Sequence, residues 1–224
     1  MNNKTKITLS AKELELVGNK EWILTKQIII EKVTMLFSQL AVEMQQAMQA
    51  PQNACPAEVA AINPKISKGE NYLGLPWVML DYPRSFTKGD VLAIRTFFWW
   101  GNFFSSTLQV AGKYKKSVAA SLLAHHHSLQ EKGYSICVSQ SPWQHHLQPD
   151  NYIPVEGYSQ NDFSKKLERE AFIKIALTLP VQQWSAAPEF LLNNFNLLAG
   201  IITTSFPNGE KGLSPGIPIT GFDL

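Results

Sequence analysis

The chain is poor in the residues on which several common functions depend. Its 224 residues include two cysteines, Cys55 and Cys137, and three arginines, Arg84, Arg95 and Arg169. Two distant cysteines without an apolar signal core before them indicate reduced thiols, so we expect a soluble, cytoplasmic protein. Nucleic-acid recognition favours arginine forks on one face, and the other basic residues here are scattered lysines. With a formal net charge of +2, we expect neither nucleic acid nor a membrane as a partner.

The sequence also lacks the short motifs that mark familiar active sites. It contains no G-x-S-x-G, Walker loop, G-x-G-x-x-G or C-x-x-C pattern, and no apolar run reaches the length of a membrane span. Histidines occur in two runs, residues 125–127 and 145–146. Neither run has the i, i+3 or i, i+4 spacing of a helical metal pair. We therefore predict no metal site and no cofactor.

Helical stripes and alternating segments together predict an α+β fold. Ser10 is typical of the N-cap of a short helix that ends at Gly18, and a long helix follows over about residues 20–48. Further helices are predicted over residues 116–131 and about 188–203. The segments between them alternate apolar and polar residues as strands do. We expect an antiparallel sheet of about five or six strands, with the long N-terminal helix and two further helices packed on it.

Chain length and composition predict one domain and a tail. Residues 1–205 are expected to form a single α+β domain, because a chain of this size can bury one core. Residues 206–224 are rich in glycine and proline, and we predict an extended tail packed on the body or on a neighbouring chain. Apolar anchors must offset the cost of ordering such a tail, and Phe206, Ile217 and Phe222 are the candidates.

The most specific local signal is RTFFWWGNFFSS, residues 95–106, which holds six aromatic rings within eight consecutive positions. Gly101-Asn102 is one of the dipeptides that form two-residue hairpin turns. Strands at about residues 91–100 and 103–111 are therefore predicted to pair across it. The rings are either core, with large side chains opposite small serines, or a surface that receives a ligand or partner.

The predicted register assigns separate roles to the rings. Trp100 lies opposite Phe103 at the tip of the hairpin, where a sheet is least covered. This pair is the predicted partner surface, with a homodimer as one form of association. Trp99 points to the other face, beside Arg95 and Leu108, and is expected to pack beneath the long helix.

The candidate ligand site consists of Arg95, Phe97 and Trp99 with Asp81 and Arg84 from the preceding strand. A buried guanidinium requires a partner. Arg95 therefore either forms a structural ion pair, for which Asp81 is a candidate, or clamps the carboxylate or phosphate of a ligand beside the rings.

Two functions remain open from the sequence. The first is a non-enzymatic binding module whose aromatic sheet surface takes a small apolar or aromatic carboxylate, or a protein partner. The alternative is an enzyme of unrecognised type with a site built from His126 or His146, Asp81 and Arg95. Histidines that meet a carboxylate in one cleft favour the enzyme, whereas a dry aromatic cleft with one arginine favours the binding module.

Overall fold

The computed structural model describes residues 7–50 and 53–206 and has the predicted α+β architecture. Its seven strands form one sheet in the order β1-β2-β3-β4-β7-β5-β6, and all neighbouring pairs are antiparallel. The strands are β1 (Lys65–Tyr72), β2 (Leu75–Phe86), β3 (Val91–Trp99), β4 (Phe103–Ala111), β5 (Ser135–Cys137), β6 (Tyr152–Pro154) and β7 (Phe172–Pro180). The sheet thus has one strand more than the largest number predicted.

The described part of the chain contains seven α-helices. They are α1 (Ala11–Gly18), α2 (Lys20–Gln49), α3 (Ala57–Ala60), α4 (Lys115–Ala124), α5 (His126–Glu131), α6 (Gln160–Arg169) and α7 (Ala187–Ser205). Ser10 caps α1 as predicted, in a capping box with Glu13. The single helix predicted over 116–131 is wrong in one respect, because the chain breaks at His125 into α4 and α5. No helix in the described ranges is long and apolar enough to cross a membrane.

Helices α2, α4 and α7 cover one face of the sheet and create the main core. Helix α2 contributes a buried stripe, of which Val33, Phe37 and Met44 are fully enclosed. Alternate strand residues such as Phe98 and Phe104 meet it from the sheet. Burying these side chains supplies the dominant favourable term in folding.

The C-terminal tail predicted over 206–224 lies, except for its first residue, outside the described residues. Ile217 and Phe222 are among those not described. Phe206 follows α7, and its ring packs edge-on against Tyr114 with the ring centroids 6.0 Å apart.

The hairpin of β3 and β4 is confirmed, but its register differs by one residue from the prediction. Trp99 pairs with Phe103, so the loop holds three residues, Trp100, Gly101 and Asn102. The turn begins at Trp99, whose carbonyl accepts from the Asn102 N–H at 3.0 Å. Gly101 occupies its third position with a φ of 71°, where type II turns need a positive φ.

This one-residue difference reverses two predictions about the rings. Because side chains alternate along a strand, the slip turns every residue of β4 to the opposite face. Trp99 therefore packs against Phe103, with centroids 5.6 Å apart, on the face away from the helices. The prediction that Trp99 lies beneath the long helix is wrong. Trp100 does not pair with Phe103 and instead meets Trp22 of α2, with centroids 6.2 Å apart.

We expect Trp99→Ala and Trp22→Ala to differ sharply in their effect on stability. Trp99 is 7% exposed, and its indole N–H donates to the Tyr72 carbonyl at 3.1 Å. Its removal should cost roughly 3 to 5 kcal/mol of unfolding free energy. Trp22 is 42% exposed, so its truncation should cost far less. Urea unfolding of both variants measures the difference, and equal losses would contradict the assignment of the faces.

Candidate functional site

On the sheet face opposite the helices, the side chains change from aromatic to charged along the strands. Directly paired residues of antiparallel strands share a face, so each row can be followed across the sheet. The rows, running from β2 through β3 to β4, are Trp77–Trp99–Phe103, Met79–Phe97–Ser105 and Asp81–Arg95–Thr107. The face therefore changes from aromatic to charged over three rows.

A long irregular segment, residues 138–151, lies across part of this face and is called the covering loop here. The ammonium of Lys174, on β7, donates to the Pro142 carbonyl at 3.1 Å and also to the Gln144 carbonyl. The hydroxyl of Tyr72, on β1, accepts from the backbone N–H groups of His145 at 2.6 Å and His146 at 3.1 Å. These hydrogen bonds hold the loop against the sheet from both sides.

A cleft of about 480 Å³ lies between the covering loop and the strands β1 to β3. Its aromatic lining consists of Tyr72, Trp77, Phe86, Phe97 and Trp143. Its charged lining consists of Lys65, Asp81, Arg84 and Arg95. The size falls within the range usual for small-molecule sites, which are apolar clefts with a few polar groups.

Close packing of one aromatic side chain against glycine shapes the wall of the cleft. Trp77 lies across from Gly69 in the β1–β2 ladder. A β-carbon at Gly69 would come within 2.6 Å of the Trp77 indole nitrogen. The glycine therefore lets the Trp77 indole lie against the backbone of β1 at this wall of the cleft.

Arg95 and Asp81 form a buried ion pair at the charged end. The guanidinium donates to both carboxylate oxygens, from Nε at 2.7 Å and from Nη2 at 3.3 Å. Its planar head lies over Phe86 and Trp143, at 5.2 Å and 5.8 Å from the ring centroids. Asp81 thus takes up two donors of the Arg95 fork, as the structural interpretation from the sequence proposed.

Arg84 belongs to the same cleft but is engaged differently. A bulge between Asp81 and Arg84 shifts the β2 register, so Arg84 pairs with Ala93 rather than continuing the regular ladder. Its Nε donates to the Asn63 carbonyl at 2.9 Å. This bond fixes the side chain at the mouth of the cleft, and no acidic residue in the described chain forms a salt bridge with it.

The structure brings four of the five predicted ligand residues to one cleft. Asp81, Arg84, Arg95 and Phe97 line it, whereas Trp99 lies deeper, beneath Tyr72. The two members of the predicted partner surface separate, because Trp100 faces α2 and Phe103 the opposite face.

The histidines proposed for an enzymatic site do not assemble with Asp81 and Arg95. His126 packs on Phe163, with centroids 4.8 Å apart, in the helical layer. His146 contacts the Tyr72 hydroxyl at 2.9 Å and lies 3.4 Å from a carboxylate oxygen of Asp150. Within residues 7–50 and 53–206, no three His, Cys, Asp or Glu side chains are grouped to hold a metal ion.

His145 is the functional candidate that the sequence analysis missed. It lines the cleft, and its ring lies 5.0 Å from the Phe97 ring. Burial lowers the pKa of His145 to about 2, with further contributions from the charges of Lys174 and Arg95. The imidazole is therefore neutral at physiological pH and offers the cleft one donor and one acceptor. The signal available in the sequence was the long irregular segment that carries it.

Lys174 is almost fully buried, at 1% exposure, and its pKa is shifted as well. Burial lowers the pKa of its ammonium to about 7, and Arg95 adds to the shift while Cys137 opposes it. Its carbonyl acceptors and the Tyr152 ring, whose centroid is 5.6 Å away, are the partners that a buried cation requires.

Comparison with known proteins identifies no family for this chain. No protein-family model matches it, and no curated protein matches it. Its function is therefore inferred from the chemistry of the cleft.

We expect His145 to make the protein less stable in acid. Its pKa is about 2 in the folded state and close to 6.5 in an unfolded chain. Between these values the unfolded chain binds more protons, so the free energy of unfolding falls as pH decreases from 6.5 towards 2. His145→Phe keeps a ring beside Phe97 and should flatten this dependence in urea unfolding measured between pH 7 and 4.

The matched control is His127→Phe, because His127 is exposed on α5. This variant should keep the wild-type dependence on pH. If His145→Phe and the wild type lose stability in parallel as the pH falls, a different group causes the acid sensitivity.

Proposed function

We propose that this protein binds a small aromatic anion, such as an aromatic carboxylate, in the cleft beneath the covering loop and does not transform it. The observation that carries the proposal is the pairing of an aromatic floor with a cationic mouth in one cleft of about 480 Å³. A flat apolar ring system with one anionic group matches both parts. Apolar contact supplies affinity in such sites, and a few charged groups fix orientation.

The aromatic end accounts for the ring of the ligand. Trp77, Met79 and Phe97 all line the cleft, and the rings of Trp77 and Phe97 lie 6.3 Å apart at an interplanar angle of 35°. Methionine adapts its shape and contacts rings favourably. A ligand ring above Met79 would meet aromatic surface on two sides.

The cationic end accounts for the anion, although Arg95 is not its direct partner. Two donors of the Arg95 fork are committed to Asp81, so that ion pair adds little net charge. Arg84 and Lys65 line the same end, and the cleft therefore has a cationic excess. We assign the ligand carboxylate to Arg84 and Lys65, with the neutral His145 as a hydrogen-bonding group beside the ring.

Binding without catalysis fits the protonation of the nearby groups. A general base works best with a pKa near the operating pH, and the pKa of His145 is far below it. Burial raises the pKa of the Cys137 thiol, which keeps it from acting as a thiolate nucleophile at neutral pH. Both observations favour the binding module over the enzyme.

We expect 2-naphthoate to bind the protein in isothermal titration calorimetry and 2-naphthamide to bind at least about tenfold more weakly, because the amide lacks the charge that Arg84 and Lys65 recognise. Arg84→Gln should remove most of this preference. Trp143→Ala should weaken both compounds, since it opens the wall of the cleft. Lys88→Gln, in the exposed β2–β3 turn, is the control and should leave both affinities unchanged. Equal binding of acid and amide by the wild type would contradict the proposal.

A further inference from the structure

Helix α2 has a second apolar stripe, on the side opposite its buried one. The stripe consists of Leu24, Ile28, Met35 and Val42, which are 51 to 63% exposed. At 100° per residue these side chains fall within one narrow sector that points away from the sheet. No residue in the described parts of the chain buries them. A row of this kind, four turns or more in length, is unusual on a surface that stays in water.

Three of the four stripe residues are spaced symmetrically about Met35. Ile28 and Val42 each lie seven residues from Met35, one on either side. A step of seven residues keeps side chains on one seam between two packed helices. When two copies of this helix pack antiparallel with Met35 at the two-fold axis, Ile28 of each copy meets Val42 of the other. The part of the stripe from Ile28 to Val42 is thus complementary to itself, as an isologous interface requires, and Leu24 lies beyond it opposite Gln46.

The polar residues beside the stripe are compatible with the same arrangement. Glu31 and Ser38 flank Met35 on one side of the helix, and Lys32 and Gln39 flank it on the other. In the antiparallel pair, Glu31 of one copy faces Ser38 of the other, and Lys32 faces Gln39. Charged groups thus meet neutral hydrogen-bonding groups, and no like charges oppose each other at the centre.

Helix α1 offers the additional area that a stable dimer needs. A specific interface buries about 800 Å² on each partner, which is more than the four stripe residues provide. None of the eight residues of α1 is buried, although Leu14 and Val17 are 64% and 71% exposed. A helix this short is only marginally stable without tertiary contacts. Because α1 directly precedes α2, an antiparallel pair brings it to the end of the interface where the other copy's α2 has its C-terminus.

We propose that the outer face of α2 is a homodimer interface in which two copies pack antiparallel about Met35. The occupant of the stripe is a second copy of this chain. The inference is independent of the ligand proposed for the cleft, because the stripe lies on the helical side of the molecule and the cleft on the opposite face of the sheet.

The test uses a pair of charge substitutions at the axis. The full chain should elute in size-exclusion chromatography with light scattering at twice its mass of 25.1 kDa. Met35→Glu and Met35→Lys each place two like charges at the axis and should each weaken the dimer at least about a hundredfold, to give monomers. An equimolar mixture of the two variants should dimerise again, because opposite charges then meet. Leu73→Glu, at another exposed apolar residue, is the control and should remain dimeric.

Two further measurements test folding of the variants and the position of the interface. Circular dichroism and urea unfolding of the variants separate loss of association from loss of folding, since Met35 is exposed in the single chain. Met35→Cys should form an intermolecular disulfide on mild oxidation. A wild-type monomer at all concentrations, a Met35→Glu variant that stays dimeric, or a monomer that floats with phosphatidylcholine vesicles would each overturn the proposal.

Discussion

The buried ion pair between Asp81 and Arg95 is the interaction on which the cleft beneath the covering loop depends. It joins β2 to β3 at the charged end of the cleft, and the guanidinium also approaches Gln109 on β4 at 3.5 Å. Phe86 and Trp143 enclose it from the sheet and from the covering loop. Removing one partner of such a pair typically costs about 3 to 5 kcal/mol, because the other charge stays buried and unpaired. The pair therefore stabilises the wall of the cleft rather than serving as its clamp.

The two faces of the sheet have different physical roles. One face is dry, and its apolar residues form the core with α2, α4 and α7. The other is only partly covered, because a loop rather than a helix crosses it, and Lys174 holds that loop through two carbonyl groups. A loop that a few hydrogen bonds hold against the sheet leaves space beside it, whereas a packed helix would fill that space. The cleft exists because the second layer is incomplete.

The sequence predicted helices and strands well, because they follow local patterns, and predicted contacts between distant residues poorly. The long helix, the capping role of Ser10 and the aromatic hairpin follow from local patterns, and local physics determines them. The predicted hairpin register was wrong by one residue, because a three-residue loop with Gly101 at its centre competes with a two-residue turn. The gathering of Asp81, Arg84 and Arg95 was foreseeable from adjacent strands, whereas the approach of His145 depends on contacts across 73 residues of chain to Tyr72. No pattern along the sequence records such a contact.

The six tryptophans offer the most direct test of the claim that the cleft beneath the covering loop binds an aromatic anion. Trp77 and Trp143 line the cleft, while Trp22, Trp100 and Trp184 lie at the helical side of the sheet. The measurement is a titration of ¹⁵N-labelled protein with 2-naphthoate, followed through the indole N–H signals. We expect the signals of Trp77 and Trp143 to shift and saturate together while those of Trp22, Trp100 and Trp184 stay in place. Shifts confined to the three tryptophans of the helical side, or no shift in any indole signal, would contradict it.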